Sequence, residues 1–180
     1  MSYDAIGRRY AQAIFEIGKE EGNPLALADQ IEAFATAYGS SDELGSVLEN
    51  PLVPNSTREA IVTDLAQRLG AGQTTQKALR VITQRRRLRA LGDVARHLRR
   101  LCDEDANVVR AEVESAAPLS DGYLTKLKTE LERATGKKVT LTHKVDPALI
   151  GGVITRIGDR VLDGSLRYRL AALREAALSN

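Results

Sequence analysis

From Tyr3 to about Asp105 the apolar residues recur at helical spacing, and the interruptions between the stripes predict a run of short amphipathic helices. Ile6, Tyr10, Ala13, Ile14 and Ile17 form the first stripe, and Leu27, Ile31, Phe34 and Tyr38 form the second, with Gly22-Asn23-Pro24 between them. Ser40 with Glu43 has the spacing of a capping box, predicting a short third helix through Leu48 that Asn50-Pro51 stops. A second such box, Ser56 with Glu59, predicts a helix carrying Ile61, Val62, Leu65 and Leu69 as far as Gly70-Ala71-Gly72. The next helix starts at Thr74 and bears Ala78, Leu79, Val81 and Ile82, and a further stripe of Leu88, Leu91, Val94, Leu98 and Leu101 follows. Periodicity leaves open whether one helix or two lie between Thr74 and Asp105.

Beyond Asp103–Asn107 the period shortens to two. Val109, Ala111 and Val113 face one way and Arg110, Glu112 and Glu114 the other, which predicts a strand and a change of domain. Leu124, Leu127, Leu131 and Ala134 mark a helix that Gly136 closes, and Val139, Leu141 and Val145 alternate as another strand. Val153–Ile157 and Arg160–Leu162 read as the arms of a hairpin around Gly158-Asp159, after which Ser165 is placed to cap a last helix with Leu166, Leu170, Leu173 and Ala177. The expected division is residues 1–105 and 106–180, with no internal repeat and no long linker.

Composition narrows the classes of function. Across 180 residues, 26 Lys and Arg stand against 24 Asp and Glu, a net charge of +2 that gives no general attraction to nucleic acid or to an anionic membrane. Aromatic residues make up 4% and Trp is absent, which disfavours base-stacking platforms. The single cysteine, Cys102, rules out an internal disulfide and suits a reducing compartment. A secretory leader is not expected at Met1, and no apolar run reaches the ~20 residues of a membrane span, so any membrane association is expected to be indirect.

Candidate chemistry is sparse. His97 and His143 lack a cysteine or a second histidine at ligand spacing, so neither a metal nor a cofactor is expected. A hydrolase or transferase reading would have to rest on His143 or Cys102, which are better read as a strand residue and a small core residue. Gly151, Gly152 and Gly158 lead into strands, whereas phosphate loops lead into a helix N-terminus. The arginines between residues 85 and 100 raise a nucleic-acid-binding module as the alternative function, but Arg85, Arg89, Arg96 and Arg100 share the side of a helix opposite its leucines, as a solvated face would. At the N-terminus Ala11 and Ala13 stand among Tyr10, Ile14 and Phe15, and small residues beside large ones make a groove that can receive a partner helix.

Three segments, RYAQAIF (residues 9–15), RLRALGDV (87–94) and GGVITRIGDRVLDGSLR (151–167), together resemble the δ subunits of bacterial ATP synthases and their mitochondrial counterpart, the oligomycin-sensitivity-conferring protein. The resemblance implies an N-terminal six-helix bundle followed by a small mixed α/β domain. It implies a non-catalytic stator subunit, without cofactor or small-molecule ligand, present once per complex at the cytoplasmic face of the plasma membrane. The bundle would bind the N-terminal helix of an α subunit in a groove between its first and fifth helices, and the C-terminal domain would meet the b-subunit stalk. The matching groove positions are Tyr10, Ala13, Ile14 and Ile17 with Ala78, Leu79 and Ile82. Members of the family usually break the chain with an Asn-Gly pair where this sequence has Arg85-Arg86, so a break here requires a left-handed residue other than glycine.

Overall fold

A computed structural model describes residues 3–149, 151–158 and 160–164. Among them are seven α-helices and one four-stranded mixed sheet, and the contacts divide the chain between Cys102 and Asp103 into two compact units.

The first unit contains α1 (Tyr3–Glu20), α2 (Pro24–Gly39), α3 (Asp42–Glu49), α4 (Asn55–Arg68) and α5 (Gln73–Gln84). A 3-10 turn, Leu88–Ala90, then leads into α6 (Leu91–Asp105). Ala11, Ile14 and Phe15 of α1 meet Ile31 and Phe34 of α2, Val62 of α4, Leu79 and Ile82 of α5, and Leu91, Val94 and Leu98 of α6 in one apolar core. Helix ends are set locally. Asn23 caps α2 by accepting from the Ala26 amide, and Gly22 and Gly70 adopt positive φ to end α1 and α4.

The chain does break between α5 and α6. Arg86 has φ +54, and the amides of Arg86 and Arg87 donate to the carbonyls of Thr83 and Ile82 at 2.9 and 3.0 Å, the paired bonds of a Schellman ending. Both capping boxes shift. Ser41, not Ser40, caps α3 through its hydroxyl to the Leu44 amide, while the Ser40 hydroxyl turns back to the Ala37 carbonyl. No side chain caps α4, because Pro54 leads directly into Asn55 and places Ser56 inside the helix. Asn55 offers its Oδ1 to Arg58 instead.

Two glycines let α1 approach its neighbours. A β-carbon on Gly7 would stand 2.6 Å from the Asp93 Cβ of α6, and one on Gly18 would stand 2.8 Å from the Pro24 Cα of α2. The first turn of α1 adds polar ties to α6: Asp4 Oδ1 lies 2.8 Å from His97 Nε2 and 3.3 Å from Arg96 Nη2. His97 is buried, and its ring joins α6 to α1 through this contact.

In the second unit β1 (Val108–Ser115), α7 (Asp121–Thr135), β2 (Lys138–Val145), β3 (Val153–Ile157) and β4 (Arg160–Asp163) form a sheet of order β2-β1-β3-β4. β1 and β2 are parallel across the α7 crossover, and the other pairings are antiparallel. Ser120 caps the start of α7 and Gly136, at φ +67, ends it. Ala111, Leu131 and Val139 are buried together between sheet and helix, with Leu127 and Ile157 at the margin. Ser165 and the expected final helix lie outside the described residues.

Two substitutions separate backbone conformation from packing. Gly18→Ala replaces a poor helix former by the best one, yet chemical denaturation is expected to show a loss of about 1–3 kcal/mol, because the added methyl meets backbone. Arg86→Gly is expected to gain about 0.5–1 kcal/mol by relieving the left-handed conformation. A destabilised Arg86→Gly chain would mean that the side chain, not the backbone, holds the break.

Candidate functional site: the α1/α5 edge and its adjoining cavity

Helical phase sorts the expected groove residues into two sets. In α1 the positions facing the core are Ile6, Gly7, Ala11, Ile14, Phe15 and Gly18, while Tyr10 is half-buried and Ala13 and Ile17 are exposed. In α5 the core positions are Thr75, Leu79, Ile82 and Thr83, with Ala78 half-buried and Val81 exposed. Ile14, Leu79 and Ile82 are 4%, 0% and 0% exposed. They brace the edge from beneath and have no surface to give to a partner. Tyr10, Ala13 and Ile17 are left as one stripe at i, i+3, i+7, and Ala78 and Val81 as the corresponding positions on α5. Val81 was not among the expected residues; only the tilt of the α5 core stripe toward Thr75 and Thr83 marks it as outward.

α1 and α5 line one apolar core, and the contacts between their ends join the start of each to the end of the other. At one end the Thr74 hydroxyl of α5 donates to the Glu21 carboxylate just beyond α1 at 2.7 Å. At the other, Tyr3 at the start of α1 shares a cavity wall with Thr83 at the end of α5. Ile17 and Val81 are 42% and 47% exposed, large apolar side chains on neighbouring helices.

The cavity at the α1-start end has a volume of about 330 Å³. On its wall Arg89 donates from Nε to Glu49 Oε2 at 2.8 Å, and the Tyr38 hydroxyl donates to Glu49 Oε1 at 2.7 Å. These two hydrogen bonds, Arg89 first, hold the Glu49 carboxyl below its ordinary value of 4.5. Burial and the same carboxylate push the Tyr38 phenol upward.

The sequence matches the family model for the ATP synthase delta (OSCP) subunit over residues 6–177 of the chain. The chain is 36% identical over 175 residues to ATP synthase subunit delta of Geotalea uraniireducens, covering 97% of each, and 37% identical over 172 residues to that of Erythrobacter litoralis, covering 96% and 94%. The chain belongs to the ATP synthase delta (OSCP) family. As a member it is a structural, non-catalytic subunit, a stator part of the peripheral stalk, in an enzyme that makes ATP at a membrane. The fold also matches a chain of the mitochondrial ATP synthase hexamer of Toxoplasma gondii with TM-score 0.70 at 22% identity, covering 96% of this chain and 97% of that one.

For a delta-family chain the remaining candidates take ordinary places. Cys102 is 2% exposed and its thiol contacts the Pro24 carbonyl. His143 Nε2 lies 2.7 Å from Ser115 Oγ, whose own proton goes to the Ala117 carbonyl, so the pair latches the end of β1 to β2. Three of the seven arginines between residues 85 and 100 are neutralised by carboxylates of the helical unit. Arg89 pairs with Glu49, Arg96 with Asp93 and Asp4, and Arg99 with Asp29 and Glu32. A phosphate backbone would have to displace these carboxylates, which argues against the nucleic-acid alternative. No helix among the described residues is long and apolar enough to cross a membrane.

Glu49 supplies a pH test. Its folded pKa is lowered, so its contribution to stability is present above the unfolded value near 4.5 and is lost as pH falls through the folded value. Glu49→Gln is expected to be less stable than the parent chain in urea at pH 7, with the difference closing as pH falls below 4.5 toward 3. A difference of equal size at both pH values would show that the carboxylate charge is not what holds Arg89 and Tyr38.

Proposed function

We propose that the α1/α5 edge seats an amphipathic helix from the N-terminal region of an ATP synthase α subunit, and that the second unit meets the b-subunit stalk. In this reading residues 1–105 form a six-helix bundle on the catalytic head and residues 106–180 the stalk-facing domain. One copy serves each complex, at the cytoplasmic face of the membrane. The observation that carries the proposal is the set of outward apolar positions, Tyr10, Ala13 and Ile17 on α1 and Ala78 and Val81 on α5, on two helices that share one core and are joined by the Thr74–Glu21 hydrogen bond in a chain of this family.

The physics of such a seat suits a stator. Burying aliphatic area contributes about 25 cal/mol per Å² with little salt dependence, and affinity gained this way is expressed mainly as slow release. Attachment at two places adds avidity, since loss of one contact leaves the other partner held at high local concentration. The buried layer beneath, Ile14, Leu79 and Ile82, keeps the two helices from spreading when the seat is filled.

Ala13→Glu and Ile17→Glu are expected to weaken binding of a synthetic α-subunit N-terminal peptide by about a hundredfold or more, because each places a carboxylate against an apolar partner face. Both positions are exposed, so circular dichroism and the melting temperature are expected to stay near those of the parent chain. Titration calorimetry at low and high salt measures both properties. Full affinity in both variants would move the seat away from α1.

A further inference from the structure

The cavity where α1 begins and α5 ends contains charge that the chain itself does not neutralise. Arg58, in the first turn of α4, is 2% exposed. Its Nη2 donates to Asn55 Oδ1 at 2.6 Å, its buried Nε has no acceptor, and among the described residues no carboxylate pairs with it. Burying a guanidinium is costly unless an anion opposes it, and a buried N–H without an acceptor is rare in native proteins. α4 brings no relief, having no acidic residue in its first turn and no capping side chain.

Arg58 shares the cavity wall with Arg86 and Arg87, both exposed and neither in an ion pair among the described residues. Arg89 stands there too, but Glu49 neutralises it, and the other oxygen of Glu49 is taken by Tyr38. Three guanidinium charges therefore converge without a counter-ion on a space of about 330 Å³, small for a ligand cavity and ample for one oxyanion. Guanidinium groups in such an arrangement match a carboxylate or phosphate in shape as well as charge.

We propose that this cavity is an anchor for a carboxylate: an Asp or Glu side chain near one end of the helix seated along α1 and α5. The inference rests on the seat proposed above and names the chemistry of its occupant. Position favours a polypeptide over a free anion, because Tyr3 at the start of α1 and Thr83 at the end of α5 both line the cavity. Leu52, 87% exposed beside the cavity-lining Pro51, also offers an apolar contact that a small anion would leave uncovered. An apolar stripe alone fixes neither direction nor register, since a helix displaced by one turn presents a similar face. A charge held at one end fixes both.

The test is a thermodynamic cycle on the full-length chain. The probe is a synthetic peptide of the α-subunit N-terminal helix, compared with the same peptide carrying Asn and Gln in place of its Asp and Glu. Neutralising the peptide is expected to weaken binding to the parent chain about tenfold, and to Arg58→Gln or Arg87→Gln only about twofold. Arg87 is exposed, so its variant reports even if replacing the buried Arg58 unfolds the chain. A penalty of the same size on all three chains overturns the anchor. Ile17→Glu separates the two readings: if it spares both peptides, the seat fails and the anchor with it, whereas if it abolishes binding while the penalty ignores Arg58 and Arg87, the anchor alone fails. Inorganic phosphate at constant ionic strength is expected to weaken the native peptide and not the neutralised one. Stabilisation by phosphate through Arg58 and Arg87, with no effect of peptide charge, would assign the cavity to a free oxyanion and overturn the proposal.

Discussion

The helical unit depends on how closely α1 lies against its neighbours. Gly7 and Gly18, eleven residues and about three turns apart, fall on the same inward face of α1, where a β-carbon would collide with α6 and α2. Between them Ala11, Ile14 and Phe15 fill the core. Asp4 then ties the first turn to His97 and Arg96, so the rotation of α1 about its own axis is set by steric contact and by polar contact together. Once that rotation is fixed, Tyr10, Ala13 and Ile17 have to face away from α2 and α6, toward the side where α5 lies. The outward apolar stripe is thus a consequence of packing on the opposite face of the same helix.

This explains which parts of the molecule were legible in the residues. Periodicity located the first four helices, the helical stretch from Thr74 to Asp105 without its break, the strand–helix–strand segment and the hairpin, because burial of one face imposes its period on the sequence. The helix starts were harder. Ser40 and Ser56 both satisfy the capping spacing, but an adjacent Ser41 and a preceding Pro54 offered competing starts, and only the backbone path decides between them. The burial of the expected groove residues was not legible for a related reason: the stripe through Ile14, Leu79 and Ile82 is apolar whether it faces a core or a partner. Burial divides the set, and the expectation taken from the family could not.

The break at Arg85-Arg86 shows a local preference overridden. Arginine is a good helix former, and nothing in the pair announces a left-handed turn, yet Arg86 adopts φ +54. Continuing the helix would carry Leu88 and Leu91 away from the core in which both are buried. Burying two leucines is worth more than the ~1–2 kcal/mol that the left-handed residue costs. Tertiary packing therefore set the turn, and the turn in turn brought Arg86 and Arg87 to the cavity that already held Arg58.

Near-neutral net charge conceals how unevenly the arginines are compensated. Arg89, Arg96 and Arg99 each have a carboxylate from another part of the helical unit, which weakens the field that the stretch from residue 85 to 100 would otherwise produce. Arg58, Arg86 and Arg87, which line one cavity, have no such carboxylate among the described residues. For a part that must resist turning, these two kinds of contact oppose different displacements. Apolar burial resists lifting a helix out of its seat but is nearly indifferent to sliding along it, whereas a guanidinium–carboxylate contact is directional and is lost within a few ångströms of slip. A seat made of the stripe alone would hold its partner and let it creep under load; joined to a charged stop at one end, it would hold position as well.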